Sequence, residues 1–173
     1  MTEAARKRAL LLLPHRDFAD EEYRHVRAYL NGRAILVESA CTANTVAKGW
    51  RVDEAIPDLL LDAVDAAAYH AAIAIGGPGA SEFHDDARAH RILRAVHQNG
   101  GVVGGIGLGV LTLARAGCLR KRRVTGSPEH RGLLEEAGAR WKGGEVVVDD
   151  RVVTGFEGVA LRFAERVATL LGF

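Results

Sequence analysis

Val102-Val103-Gly104-Gly105-Ile106-Gly107-Leu108-Gly109 decides the fold. Val102–Ile106 reads as a buried strand that runs into a glycine turn, and Gly109–Ala116 behind it reads as a helix closed by Gly117. Gly105–Gly109 has the outline of a nucleophile elbow, G-x-nucleophile-x-G, in which flanking glycines let strand and helix approach closely. The central residue of such an elbow takes a strained backbone that aims its side chain at a crevice. Here it is Gly107, which accepts positive φ without strain and brings no reactive atom. The spacing does not satisfy the dinucleotide-binding pattern G-x-G-x-x-G.

The same alternation runs along the whole chain. Ala9–Leu13, Ala34–Val37 and Ala72–Ile75 read as core strands, the last running into Gly76-Gly77-Pro78-Gly79. Tyr23, Val26, Tyr29 and Leu30 recur at helical spacing before Asn31-Gly32, and Ala87–Gln98 is a second helix with Ile92, Leu93 and Val96 on one face. Pro128–Ala137 reads as a helix capped by Ser127 and closed by Gly138. Glu145–Val148 and Arg151–Val153 flank an Asp149-Asp150 turn. Gly158–Leu171 is a terminal amphipathic helix with Leu161, Ala164, Val167, Ala168 and Leu171 inward. Continuous apolar strands separated by helices imply one α/β domain over residues 1–173, a three-layer sandwich with a mainly parallel sheet. Ligands of such sheets bind beyond the carboxyl ends of the strands, so chemistry is expected among the loops 14–22, 76–82, 105–109 and 154–158.

Composition narrows the function classes. Of 173 residues 26% are charged, and 23 basic against 22 acidic side chains leave a formal charge of +1. This argues against a nucleic-acid footprint, and Arg120-Lys121-Arg122-Arg123 reads as a solvated loop. No apolar stretch has the length of a membrane span, and the charged N-terminus with five apolar residues before Pro14 does not read as a signal peptide. A cytoplasmic protein with two reduced thiols, Cys41 and Cys118, is the expectation. Cys118 reads as a small buried hydrophobe, and Cys41 is expected to be partly exposed. The seven histidines lack metal-ligand spacing, so neither a metal nor a cofactor is expected. Trp50 and Trp141 are expected to pack at loops or an interface.

Several stretches together resemble the ThiJ/PfpI family of the class I glutamine amidotransferase-like superfamily. Phe18-Ala19-Asp20-Glu21-Glu22 matches the family's acidic stretch, Ile75-Gly76-Gly77-Pro78-Gly79 its glycine-rich loop, and Ala114–Thr125 the helix end in which A-G-x-L-x-G-R-x-x-T recurs. Ala137-Gly138-Ala139, Val147-Val148-Asp149 and Val153-Thr154 match the closing segment. The resemblance implies a flavodoxin-like fold, a homodimer, a carboxylate at Glu22 under the elbow, and backbone amides supplied by Gly76, Gly77 and Gly79. It also shows where this chain departs. The family's elbow is roughly A-x-C-H-G, and its cysteine and histidine positions hold Gly107 and Leu108. A histidine that some members carry before a proline falls at Ser127. The family's arginine-containing turn has become Thr154-Gly155-Phe156-Glu157-Gly158. The family's peptidase, glyoxalase and deglycase chemistry needs the thiolate, so it is not expected here.

The remaining candidates each have two readings. Glu22 is either a buried general acid or base, or an inherited acid bound to water or backbone. His15, Arg16 and Asp17 either surround a ligand as base, anion binder and orienting acid, or are solvated. Glu157 is either a second carboxylate of the pocket or a surface residue. Ser81 and Glu82 fall where some family members place an acid that crosses to a partner subunit, and Glu82 equally suits a helix N-terminus. Leu108 and Phe156 are expected to wall the space above Gly107. Three functions fit: a small-molecule-binding or scaffold homologue without thiol chemistry, an acid–base enzyme using Glu22 and His15 on a small carbonyl-like substrate, or a stress-protective interaction module.

Overall fold

The computed structural model describes residues 6–173; residues 1–5, the start of the charged N-terminal stretch, lie outside the described residues. The main sheet has seven strands: β1 (Arg8–Leu12), β2 (Leu36–Cys41), β3 (Leu59–Leu60), β4 (Ala71–Ala74), β5 (Val102–Ile106), β6 (Val146–Asp149) and β7 (Val152–Gly155). Their order is β6-β7-β5-β4-β1-β2-β3, and every pairing is parallel except β6 with β7. Helices α1 (Asp20–Gly32) and α5 (Ala160–Leu171) cover one face; α2 (Ala87–Gln98), α3 (Gly109–Arg115) and α4 (Arg131–Glu136) cover the other. This is the flavodoxin-like sandwich that the sequence implies.

Both layers read directly from β1. Ala9, Leu11 and Leu13 enter the core beneath α1 and α5, whereas Leu10 and Leu12 enter the core beneath α2 and α3. A strand buried on both faces cannot alternate polar and apolar residues, hence the unbroken run. On the α5 side, Gly104 and Gly155 make room for Phe163. A Cβ on Gly104 would stand 2.7 Å from the ring and one on Gly155 3.0 Å from it. Full burial of that ring stabilises the fold by roughly 1.5–3 kcal/mol.

Some expected elements shift. The second strand begins at Leu36 rather than Ala34, because Ala34 takes φ 59° in the turn that closes α1. Pro128–His130 is a 3-10 turn ahead of α4, and Ser127 stands at its N-cap without a side-chain capping bond. Leu161 is 55% exposed; Ala160 and Phe163 join Ala164, Val167, Ala168 and Leu171 on the buried face. Residues 42–69 also hold structure with no clear period: Ala47–Gly49 pairs with Arg16–Phe18 on one side and with Glu54–Ala55 on the other in a small second sheet. No helix among the described residues is long and apolar enough to cross a membrane.

Chain order rises outward from β1 through β2 to β3, then restarts at β4 on the other side of β1. The switch point therefore lies between β1 and β4, where loop crossings leave a crevice at the carboxyl ends. The loop after β1, the glycine loop after β4 and the elbow after β5 converge there.

Candidate functional site

Gly107 sits at the elbow with φ 55°, its N–H donating to Gly155 O at 3.0 Å and its carbonyl accepting from Val110 N. The backbone thus has the left-handed turn of a nucleophile elbow. The space that a Cβ at Gly107 would enter is filled by Oε1 of Glu22, whose carboxyl carbon would stand 3.2 Å from that Cβ. Glu22 rises from the first turn of α1, is 5% exposed, and accepts a hydrogen bond at Oε2 from Gly76 N at 2.8 Å. Its Oε1 makes no hydrogen bond among the described residues.

Burial raises the Glu22 carboxyl to about 7; the Gly76 N–H opposes this, and the charge of Glu157 adds to it. Near neutrality the group is therefore divided between its acid and carboxylate forms. With Oε2 held as an acceptor by Gly76, the proton of the acid form belongs on Oε1, beside Gly107.

Two cavities flank the elbow and share Glu157. One of about 630 Å³ is lined by Glu21, Glu22, His25, Trp50 and Arg51 on one side and by residues 157–162 on the other. The second, about 370 Å³, lies over Gly107 and Leu108 and is completed by Ser127, Glu129 and His130. Exposed Glu157 lines both.

Asp20 shapes the larger cavity without offering its charge to it. Its buried carboxylate accepts from the backbone N–H groups of Arg51, Val52 and Asp53 at 3.0, 2.9 and 2.7 Å. Burial alone would raise this acid, yet those three donors outweigh it and hold it below its ordinary range. The loop carrying Trp50 and Arg51 is thereby tied to the first turn of α1.

The other sequence candidates are placed as follows. Gly107, Leu108, Ser127 and Glu157 line the smaller cavity, and half-buried Phe156 lines neither. His15, Arg16 and Asp17 also line neither. His15 Nε2 meets Thr45 Oγ1 at 3.0 Å, Asp17 is exposed with φ 54°, and Arg16 is an exposed residue of the small sheet. The expected pairing of Glu22 with His15 across one pocket is not what the structure brings together. Gly77 and Gly79 pack against the backbone of residues 16–19, leaving no room for side chains, and the Gly76 amide is engaged by Glu22. Glu82 turns inward, accepting from His15 N at 3.1 Å and Thr42 Oγ1 at 3.2 Å.

Cys41, expected at least partly exposed, is fully buried, with Sγ donating to Leu13 O and burial raising the thiol to about 12. Cys118 is buried too, and burial raises it to about 11. Neither lines a cavity at the elbow. Sequence reasoning missed His25, Trp50 and His130; only His25 had a local signal, since it lies one helical turn after Glu22.

The model of the DJ-1/PfpI family matches residues 7–170, so the chain belongs to the DJ-1/PfpI family. A ThiJ/PfpI domain protein from Brachyspira murdochii is 26% identical and superposes with a TM-score of 0.92, covering 96% of this chain and 97% of that one. DJ-1beta of Drosophila melanogaster shares the fold at a TM-score of 0.84 and 24% identity, with 97% and 92% of the two chains covered. An uncharacterized protein of Methanocaldococcus jannaschii is 26% identical over 150 residues, covering 85% of this chain and 73% of that protein.

Proposed function

We propose that this chain is a DJ-1/PfpI protein without the Cys-His pair, a small-molecule-binding homologue whose ligand meets the Glu22 carboxyl rather than a thiolate. The observation that carries the reading is the position of Glu22 Oε1, which occupies the side-chain space of Gly107 at the elbow. The two cysteines support it from the other side. Thiols raised to about 12 and 11 by burial are almost wholly protonated at neutral pH and are poor nucleophiles. Acid–base chemistry stays open to Glu22, which ionises near neutrality, with Glu157 rather than His15 as its neighbour.

The double variant Cys41→Ser, Cys118→Ser tests this reading. Ligand binding or turnover by the folded variant at the parental level is expected, together with its loss in Glu22→Gln. Activity that disappears with the cysteines and survives Glu22→Gln overturns the proposal.

The homodimer belongs to the same proposal. Val46, Val52 and Ile56, exposed by 41, 84 and 75% around the small sheet, are an apolar surface that a second copy would cover. A cytoplasmic setting is consistent with two free thiols.

A further inference from the structure

We propose that the cleft divided by Glu157 binds a small organic ammonium ion, its charged head between the carboxyls of Glu22 and Glu157 and its alkyl part against Val159 and Ala160. The inference rests on the reading above, in which Glu22 is the group that a ligand meets, and it names the ligand's chemical class.

Charge is the first argument. Glu21, Glu22 and Glu157 line the larger cavity, and Glu129 joins Glu157 on the smaller one. The cations nearby do not balance them: Arg162 is engaged by Glu145, leaving Arg51 and His25 on the larger cavity. An acidic lining alone would say little, because such clusters are often only hydrated.

The buried carboxyl of Glu22 is the second argument. Glu22 is 95% withdrawn from solvent and lines the larger cavity, and its Oε1, beside Gly107 of the smaller one, accepts no hydrogen bond from the described residues, leaving it open to a donor from the cavity. A primary ammonium brings three donors and no acceptor, which suits two carboxyl groups and not the Gly76 amide, which Glu22 already uses.

Trp50 is the third. It lines the same cavity while 60% exposed, on a loop that Asp20 holds in place by three backbone bonds. An indole beside carboxylates is the recognition surface of alkylammonium ions, through attraction between the cation and the ring face.

Proton balance follows. Glu22 gives its proton to solvent as the ammonium enters, because a neighbouring cation favours the carboxylate. Glu21, Asp20, Glu145, Glu157, His25, Arg51 and Arg162 line the same cavity, and positive charge on His25 or Arg51 opposes the ligand. Binding therefore strengthens with rising pH, by about tenfold from pH 6 to pH 8 for a group that ionises near 7.

The test is calorimetric titration of the full chain with n-butylamine, and with n-butanol and butyrate as controls of equal alkyl length. A ligand of this size reaches dissociation constants of about 1–10 mM. Butylamine is expected to bind, about tenfold more weakly at pH 6 than at pH 8, with a change in Trp50 fluorescence. The two controls are expected not to bind. Glu157→Gln, a change at an exposed position, is expected to weaken binding several-fold. In Glu22→Gln butylamine binding is expected to be lost at both pH values. Butyrate binding as well as butylamine, no heat with the amine, or an unchanged affinity in Glu157→Gln overturns the ammonium assignment. A ligand-class failure of that kind is distinguishable from failure of the site itself, which would show as Glu22→Gln leaving the pH dependence of stability unaltered.

Discussion

Replacing Glu22 by glutamine keeps the shape of the acid form and removes its titration. The glutamine carbonyl can still accept from Gly76 N, as Oε2 does at 2.8 Å, and its amide takes the place of the protonated Oε1. The carboxyl ionises near 7 in the fold, against an ordinary 4.5. Between those values the unfolded chain gives up this proton while the folded chain keeps it, so folding stability falls as pH rises through the window. At about 1.4 kcal/mol per pH unit, the gap corresponds to about 3 kcal/mol. Because the group is 5% exposed, solvent screening reduces this figure little. The wild type and Glu22→Gln are therefore expected to have similar stability at about pH 4. At about pH 8 the variant is expected to be more stable by about 3 kcal/mol. Urea unfolding followed by circular dichroism across this range measures both curves. Their difference isolates Glu22, since His70, His84 and His97, all lowered by burial, titrate in both proteins. Parallel curves, or a variant that loses stability at high pH, would refute the reasoning.

Gly107→Ala places a side chain at φ 55° and pushes Glu22 away from Gly76; left-handed backbone costs about 1–2 kcal/mol and the hydrogen bond about 1 kcal/mol more. A loss of about 2–3 kcal/mol by chemical denaturation is expected, and a neutral substitution would show that the elbow has slack the packing does not reveal. For the dimer, sedimentation velocity is expected to give two copies for the wild type and one for Ile56→Glu; a monomeric wild type removes that part of the proposal.

The layers were legible because their causes are local. Leu10–Leu13 must be a doubly buried strand, and Ala87–Gln98, whose bounds agree with the structure residue for residue, carries its period and its stop within a dozen residues. The elbow was legible for the same reason, down to the positive φ of Gly107. The loop around Trp50 was not. What fixes it is the carboxylate of Asp20, about thirty positions earlier, and no short-range pattern announces three backbone bonds made at that distance. Cys41 illustrates a related limit: its position after a strand suggested exposure, but the strand runs longer than its apolar start, and the thiol ends inside the core. Glu22 was found from the resemblance; that it fills the side-chain space of Gly107 is visible only in three dimensions. His15 shares a crevice loop with Glu22, yet that sharing does not bring the two side chains into one cavity.

The role of Glu22 at the elbow turns on one protonation. Carbon-13 NMR of the Glu22 carboxyl, titrated in the intact protein and assigned by its absence from Glu22→Gln, reads it directly. An inflection near 7 is predicted, moving lower in Glu157→Gln because the neighbouring charge helps hold the proton. An inflection near 4.5, unmoved by Glu157→Gln, would mean that Glu22 is an ordinary hydrated acid and would contradict a site built on its carboxyl at the elbow.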